Sequence, residues 1–297
     1  MLLTSGDTAF QLEMTEATHL TRQVECYARV AGDTKSVAFA AGGGIAALTH
    51  ASLGRRFNHV AGFAMRTPAC PDELQALEQR YADRGLPVEI DLCPHADQTA
   101  LRALSARGYT IRDFTNVYAC ALSDFEPSYA LDSAIAVRMA AQQDEVGAAA
   151  PRSGVMFDEN QFVAQSVAAS ADPLRSRPRA IVESLAKIAR ARADTLLFSA
   201  WIDEQVAGTA TLSLIDSPFG RVAQLCLACT LPAFRGRGVY GALLDARLAA
   251  ARDEGYEIAC VTLDATERSA QCVERAGFQL AYTRPTFVRF PSVQTDA

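Results

Sequence analysis

Residues 232–244 limit most narrowly what this chain can fold into, because Arg235, Gly236, Arg237, Gly238 and Gly241 fall between two strongly patterned segments. Before them lies an apolar run at 222–230. After them Val239, Ala242, Leu243, Ala246 and Ala250 recur at helical spacing, and Gly255 is placed to end that helix. The stretch therefore reads as strand, glycine-rich turn and helix. Gly236 and Gly238 let the backbone approach a ligand and take dihedrals closed to other residues. The helix start offers N–H groups that no internal carbonyl accepts, and the two arginines add charged donors. This combination is a phosphate site.

A chain of 297 residues is long enough for two domains, each with its own core. Its formal charge of -6 opposes a nucleic-acid partner, which calls for a basic surface, and favours small molecules. Asp7, Glu13 and Glu16 fall where a secretory signal would need an apolar core, and no apolar run approaches the ~20 residues that span a bilayer. The expectation is a cytoplasmic protein without a membrane partner. In that setting the 8 cysteines read as small buried hydrophobes. Cys226 and Cys229 have the spacing of a metal or redox pair, but they sit inside an apparent strand with no second pair, so no metal is expected.

Taken in order, the sequence predicts a helix over 15–30 and strands over 35–41 and 45–50 joined by Gly42, Gly43 and Gly44. No helix follows that triplet, so it reads as a hairpin or bulge and not as a phosphate loop. A strand over 58–65, a helix from Pro71 to 83, a strand over 88–93, a helix over 99–107 and a strand over 109–122 complete the first half. The second half shows strand 222–230, helix 239–254, strand 258–263, helix 269–276 and strand 279–290, after an earlier strand at 196–202. Arg107, Gly108 and Tyr109 before one strand mirror Ala276, Gly277 and Phe278 before the other. Two copies of one architecture account for the length, with a boundary in 123–133 near Pro127. The copies differ at the turn: where the second has Arg235 to Gly241, the first has Arg66 to Pro71, with no glycine and two prolines that lack donors.

On these residues the sequence resembles the GNAT superfamily of acyl-CoA-dependent N-acyltransferases. The likeness covers 196–288 and is most specific over 230–244, which is similar to that family's pyrophosphate loop; 274–278 is similar to its second signature. The resemblance implies an α/β (α+β) fold of two GNAT-like domains, each a mixed, mostly antiparallel sheet flanked by helices. Residues 1–127 would be a degenerate, non-catalytic copy and residues 128–297 the domain that binds acyl-CoA. It further implies acetyl-CoA as co-substrate, held by Leu227, Cys229, Thr230, Leu231, Arg235, Gly236, Arg237, Gly238, Val239, Tyr240 and Gly241. The strand over 225–231 would part from its neighbour and offer a backbone N–H to the thioester carbonyl.

Direct attack by an amine needs a base and an acid rather than an enzyme nucleophile. Asp264, at a strand end, is the candidate base, with Asp158 and Glu159 as further carboxylates. The family's tyrosine acid aligns with Val273, so the acid falls to Tyr282 or Tyr240, with Cys272 as a weaker choice. No chemistry is assigned to His19, His50, His59 or His95, all in the first half. The expected activity is transfer of an acetyl group to a primary amine of a small molecule, by a monomer or homodimer. Acetylation of proteins and non-catalytic acyl-CoA sensing are the alternatives.

Overall fold

The computed structural model describes residues 4–127, 134–140, 159–170, 179–267 and 269–291. In the first half α1 (Gly6–Ala31) precedes the hairpin β1 (Val37–Ala41) and β2 (Gly44–Leu48). There follow β3 (Val60–Ala61), α2 (Pro71–Ala82), β4 (Val88–Asp91), α3 (Gln98–Ala106) and β5 (Thr110–Ala121). The second half contains β6 (Ala136–Met139), α4 (Glu159–Ser170), α5 (Arg179–Ala191), β7 (Thr195–Ile202), β8 (Gln205–Ser217) and β9 (Gly220–Thr230). It ends with α6 (Val239–Asp253), β10 (Ile258–Asp264), α7 (Ala270–Arg275) and β11 (Gln279–Arg289). No helix among the described residues is long and apolar enough to cross a membrane.

Local chemistry accounts for most boundaries. Ser5 caps α1 by accepting from the Thr8 N–H, and Gly32 ends the helix in the left-handed region. Helix α1 therefore begins nine residues before its hydrophobic pattern becomes legible at Thr15, because Leu12, Glu13 and Met14 are buried together and break the apolar and polar alternation. Gly42 and Gly43 form the two-residue turn expected between β1 and β2, whose pairing closes at Ala41 and Gly44. The strand expected over 58–65 shortens to Val60–Ala61, since Gly62 and Ala64 adopt positive φ and turn the chain.

The 11 strands among the described residues form one mostly antiparallel sheet in the order β1-β2-β3-β4-β11-β5-β10-β9-β8-β7-β6. Its centre shows what element order could not: each half gives its last strand to the other. Strand β11 pairs with β4, and β5 pairs with β10. The two exchanged strands pair antiparallel and reciprocally, with Thr110 at the start of β5 opposite Val288, and Gln279 at the start of β11 opposite Ala119. The cores follow the exchange. Tyr118, Cys120 and Leu122 pack with Leu212, Leu243 and Val261 of the second half, while Phe287 packs with Ile90, Leu104 and Tyr109 of the first.

The exchange is pinned by buried charge. Arg284 of β11, with a side chain 3% exposed, donates from Nη1 to Glu13 Oε1 of α1 at 2.8 Å and approaches Asp91 of β4 at 3.6 Å. Arg55 also pairs with Asp91, and Thr286 Oγ1 donates to it at 2.7 Å. Burial disfavours the Asp91 charge, yet Arg55 and Arg284 together hold its carboxyl well below the usual range. A carboxylate stranded by loss of its partner cannot recover hydration at such a site. Arg284→Met is therefore expected to cost about 3–5 kcal/mol in urea unfolding; a loss below about 1 kcal/mol, the scale of an exposed pair, would show that the network does not hold the strands.

Candidate functional site

The site forms where β9 leaves β10. The two strands pair in parallel only from Val222 with Ile258 to Gln224 with Cys260, after which β10 continues to Asp264 paired with β5 alone. Strand β9 is turned aside by a bulge: Cys226 faces Thr211 of β8 and Cys229 faces Thr209, so Leu227 and Ala228 occupy the register of a single residue. Leu227 takes φ 41, which branched side chains rarely adopt, so the bend is built at some cost in strain. The result is a slot through the sheet.

The slot joins both faces. Leu225 packs into the core beneath α6. On the opposite face Gln224 Nε2 donates to Glu16 Oε2 of α1 at 2.6 Å, and Cys226 Sγ lies 4.0 Å from His19 Nε2. A cavity of about 300 Å³ runs from Tyr240 and Arg247 on the α6 side, past Leu227 and Asp264, to Glu16 and His59 on the α1 side.

At the outer end lies the glycine-rich turn. Gly236 and Gly238 have φ 77 and 83, and Gly238 caps α6 with no side chain of its own. The helix provides no acceptor for the N–H groups of Val239, Tyr240 and Gly241, and Arg235 and Arg237 are exposed beside them. Close seating of that end requires Gly208 of β8, where a Cβ would sit 2.7 Å from the Cys229 oxygen and 2.9 Å from Val239 Cγ1. The corresponding helix of the first half, α2, has Pro71 at its start and Asp72 and Glu73 in its first turn. That end repels anions.

Of the residues singled out in the sequence, Leu227, Cys229 and Thr230 lie on β9 and Leu231 just beyond it; Arg235 to Gly238 form the turn, and Val239, Tyr240 and Gly241 the first turn of α6. The cavity brings Leu227, Tyr240 and Asp264 together. Tyr282 lies elsewhere: it is 5% exposed, packs with Ala9 and Leu12 of α1, and its hydroxyl donates to Glu13 Oε1 at 2.8 Å. Burial first, and then the Glu13 charge, pushes its pKa well above that of an ordinary tyrosine. Tyr240 is half-buried, its pKa raised by burial against the pull of Arg247. Asp158 falls outside the described residues, and Glu159 opens α4. No three His, Cys, Asp or Glu side chains are grouped to hold a metal among the described residues.

Among the lining residues that carried no assignment in the sequence are Glu16, His19, His59 and Arg247. Three belong to the first half, far in sequence from the turn. Only Arg247 left a local signal, falling four residues after Leu243 on the apolar stripe of its helix. Burial raises the Glu16 pKa, but Arg284, with His19 and His59, outweighs it and leaves the carboxyl below its ordinary value. Burial and then Arg192 lower His19 to about 4, so at neutral pH its imidazole is uncharged.

Residues 159–278 match the family model described as Acetyltransferase (GNAT) family. A GCN5-related N-acetyltransferase from Kribbella flavida is similar with a TM-score of 0.58 and 19% identity, over 94% of this chain and 97% of that one. A tandem GNAT protein from the clavulanic acid biosynthesis pathway gives 0.56 at 10% identity, over 74% of this chain and 69% of its own. A GCN5-related N-acetyltransferase from Sphaerobacter thermophilus gives 0.51 at 17% identity, over 76% and 69%. At such identities the likeness is one of fold. No curated protein matches the chain.

The His19 shift sets a pH dependence. Its folded pKa of about 4 lies below the ordinary 6.5, so the unfolded chain binds the extra proton first. Its contribution is present above pH 6.5 and is lost as pH falls toward 4, by at most about 3 kcal/mol. Urea midpoints across that window should fall more steeply for the wild type than for His19→Gln; parallel profiles would refute the assignment.

Proposed function

We propose that this chain, a tandem GNAT fold whose residues 159–278 match the acetyltransferase family model, transfers an acetyl group from acetyl-CoA to a primary amine of a small molecule. The observation that carries this reading is the slot: a glycine-capped helix end beside a strand that parts from its neighbour at a bulge, opening into a cavity of about 300 Å³. In this reading the N–H groups of Val239, Tyr240 and Gly241, with Arg235 and Arg237, hold the pyrophosphate of coenzyme A. Backbone donors of 227–231, on the side that β10 has left, meet the negative charge growing on the thioester oxygen.

The amine enters from the α1 face. Glu16, ionised and anchored by Gln224, attracts it as an ammonium, and Asp264 on the cavity rim takes up its proton. The nitrogen then bonds to the carbonyl carbon as the carbon–sulfur bond breaks, and the departing thiolate needs a proton. Tyr240 suits that role better than Tyr282. It lines the cavity at the first turn of α6, whereas the Tyr282 hydroxyl is spent on Glu13. We therefore assign 128–297 as the acyl-CoA half and 1–127 as a half that binds no CoA but supplies the acceptor wall. A cavity of about 300 Å³ has room for a small acceptor.

The test is thiol release from acetyl-CoA over a panel of primary amines, with CoA affinity by calorimetry. Turnover is expected with at least one amine. Gly238→Val, which forces a branched residue to φ 83, should abolish CoA binding while the far-ultraviolet spectrum is kept. Tyr240→Phe should bind acetyl-CoA normally and lose about 10²-fold in kcat. Tight CoA binding without turnover across the panel would favour a sensor instead, and unchanged affinity in Gly238→Val would remove the basis of the assignment.

A further inference from the structure

The cavity contains a cation that acetyl transfer to a simple amine leaves unused. Arg247 is 1% exposed. Its Nε donates to the Leu243 oxygen of its own helix at 3.0 Å, and Nη1 reaches the Thr211 oxygen at a long 3.4 Å. Nη2 is buried and has no hydrogen-bond partner among the described residues. Burial opposes its charge, and the groups that favour it are Tyr240, which also hydrogen-bonds it, and Cys226; neither is an anion at neutral pH, and burial pushes the Cys226 thiol up to about 12. Comparably buried arginines of this chain are treated otherwise: Arg284 has Glu13 and Asp91, and Arg192 has Asp194. A buried guanidinium with no counter-ion among the described residues is among the costliest groups a fold can carry, so its place on the wall of a cavity points to an anion that arrives with a ligand.

Its place in the fold says which anion. The Arg247 backbone lies roughly 12 Å along the helix from Val239, and its guanidinium is buried and held at the Leu243 and Thr211 oxygens, apart from the exposed arginines of the turn. It sits beneath the β9 bulge, bonded to the residue that pairs with Cys226, on the α6 side of the slot. The anion must therefore enter the slot with the reacting groups. A planar guanidinium with one edge unused matches a carboxylate better than a spherical ion. Across the slot Gln224 Oε1 is likewise buried without a partner, next to the Glu16 carboxylate, and can accept from an ammonium. A cation site and an anion site thus face one cavity.

We propose that Arg247 is a carboxylate-binding residue of this slot, so that one of the two substrates carries a carboxylate in addition to the reacting group. The inference rests on the acyl-transfer reading above. Two sources present the same chemistry: an acceptor of amino-acid type, or an acyl chain that ends in a carboxylate. Glu16 and Gln224 favour the acceptor, because they complete a site for a zwitterion.

The full-length protein is assayed in two arms. In the first, α-amino acids are compared with the matching amino amides, acetyl-CoA being the donor. In the second, succinyl-CoA and butyryl-CoA are compared for affinity by calorimetry. The carboxylate member should be favoured on the order of 10- to 100-fold in one arm, and that arm identifies the source. Arg247→Gln should bring the ratio close to one while CoA itself binds as before. Arg247→Lys, which keeps the charge but not the planar fork, should retain part of the preference; it also serves if the glutamine variant does not fold. A wild type with turnover but no carboxylate preference in either arm overturns this inference alone, as does a preference that survives in Arg247→Gln, the mark of a purely structural arginine. A protein that neither binds nor consumes acyl-CoA overturns the acyl-transfer reading and this inference with it.

Discussion

The structure depends on a buried cluster of charge at the seam between its halves. Arg284 belongs to the last strand of the second half, but its partners Glu13 and Asp91 belong to the first. Asp91 also has Arg55, but Arg284 and Glu13 are paired only when β11 lies between β4 and β5. The same contact orients α1. Glu13 points down to Arg284, and Glu16, one turn later on the same helix, reaches over to Gln224 on β9. His19 follows against Cys226. One helix thus serves both as an anchor of the exchanged strand and as a wall of the slot in the other half. Further along, Cys26 of α1 packs with Ile188 of α5, and Arg22 pairs with Asp194, so the halves meet along the whole helix.

The exchange changes the meaning of a degenerate copy. The first half has lost the features that would cradle a phosphate: its helix α2 begins with proline and carries Asp72 and Glu73 in its first turn. It has kept its cavity-facing residues. Glu16, His19 and His59 all line the slot that opens in the second half. In this account one half presents the acyl group and the other receives the amine. The division would give the first half a physical role although the start of its α2 disfavours an anion.

The glycine-rich turn, the helix behind it and the two-copy order were legible in the sequence because each is local. Gly236 and Gly238 announce positive φ, and Val239, Leu243 and Ala250 keep helical spacing. The exchange of β5 and β11 left no local mark. Both strands have the same order of elements before them whether they close their own half or the other one, and long-range contacts such as those of Arg284 with Glu13 and Asp91 distinguish the cases. For the same reason the α1 wall of the slot was hidden. Glu16 and His19 lie on an ordinary amphipathic helix more than two hundred residues from Gln224 and Cys226, and nothing in either segment points to the other. Tyr282 shows the reverse case: its strand was legible, but the partner that occupies its hydroxyl was not.

The central claim is that residues of the first half take part in a reaction whose acyl donor is held by the second. Glu16→Gln tests it most directly, because the change keeps the side-chain shape and removes only the charge that faces the cavity. Kinetics with a turned-over amine should show kcat/KM for that amine falling by about tenfold or more, with the affinity for acetyl-CoA unchanged. Amine kinetics identical to wild type, or a loss confined to acetyl-CoA binding, would contradict a shared site.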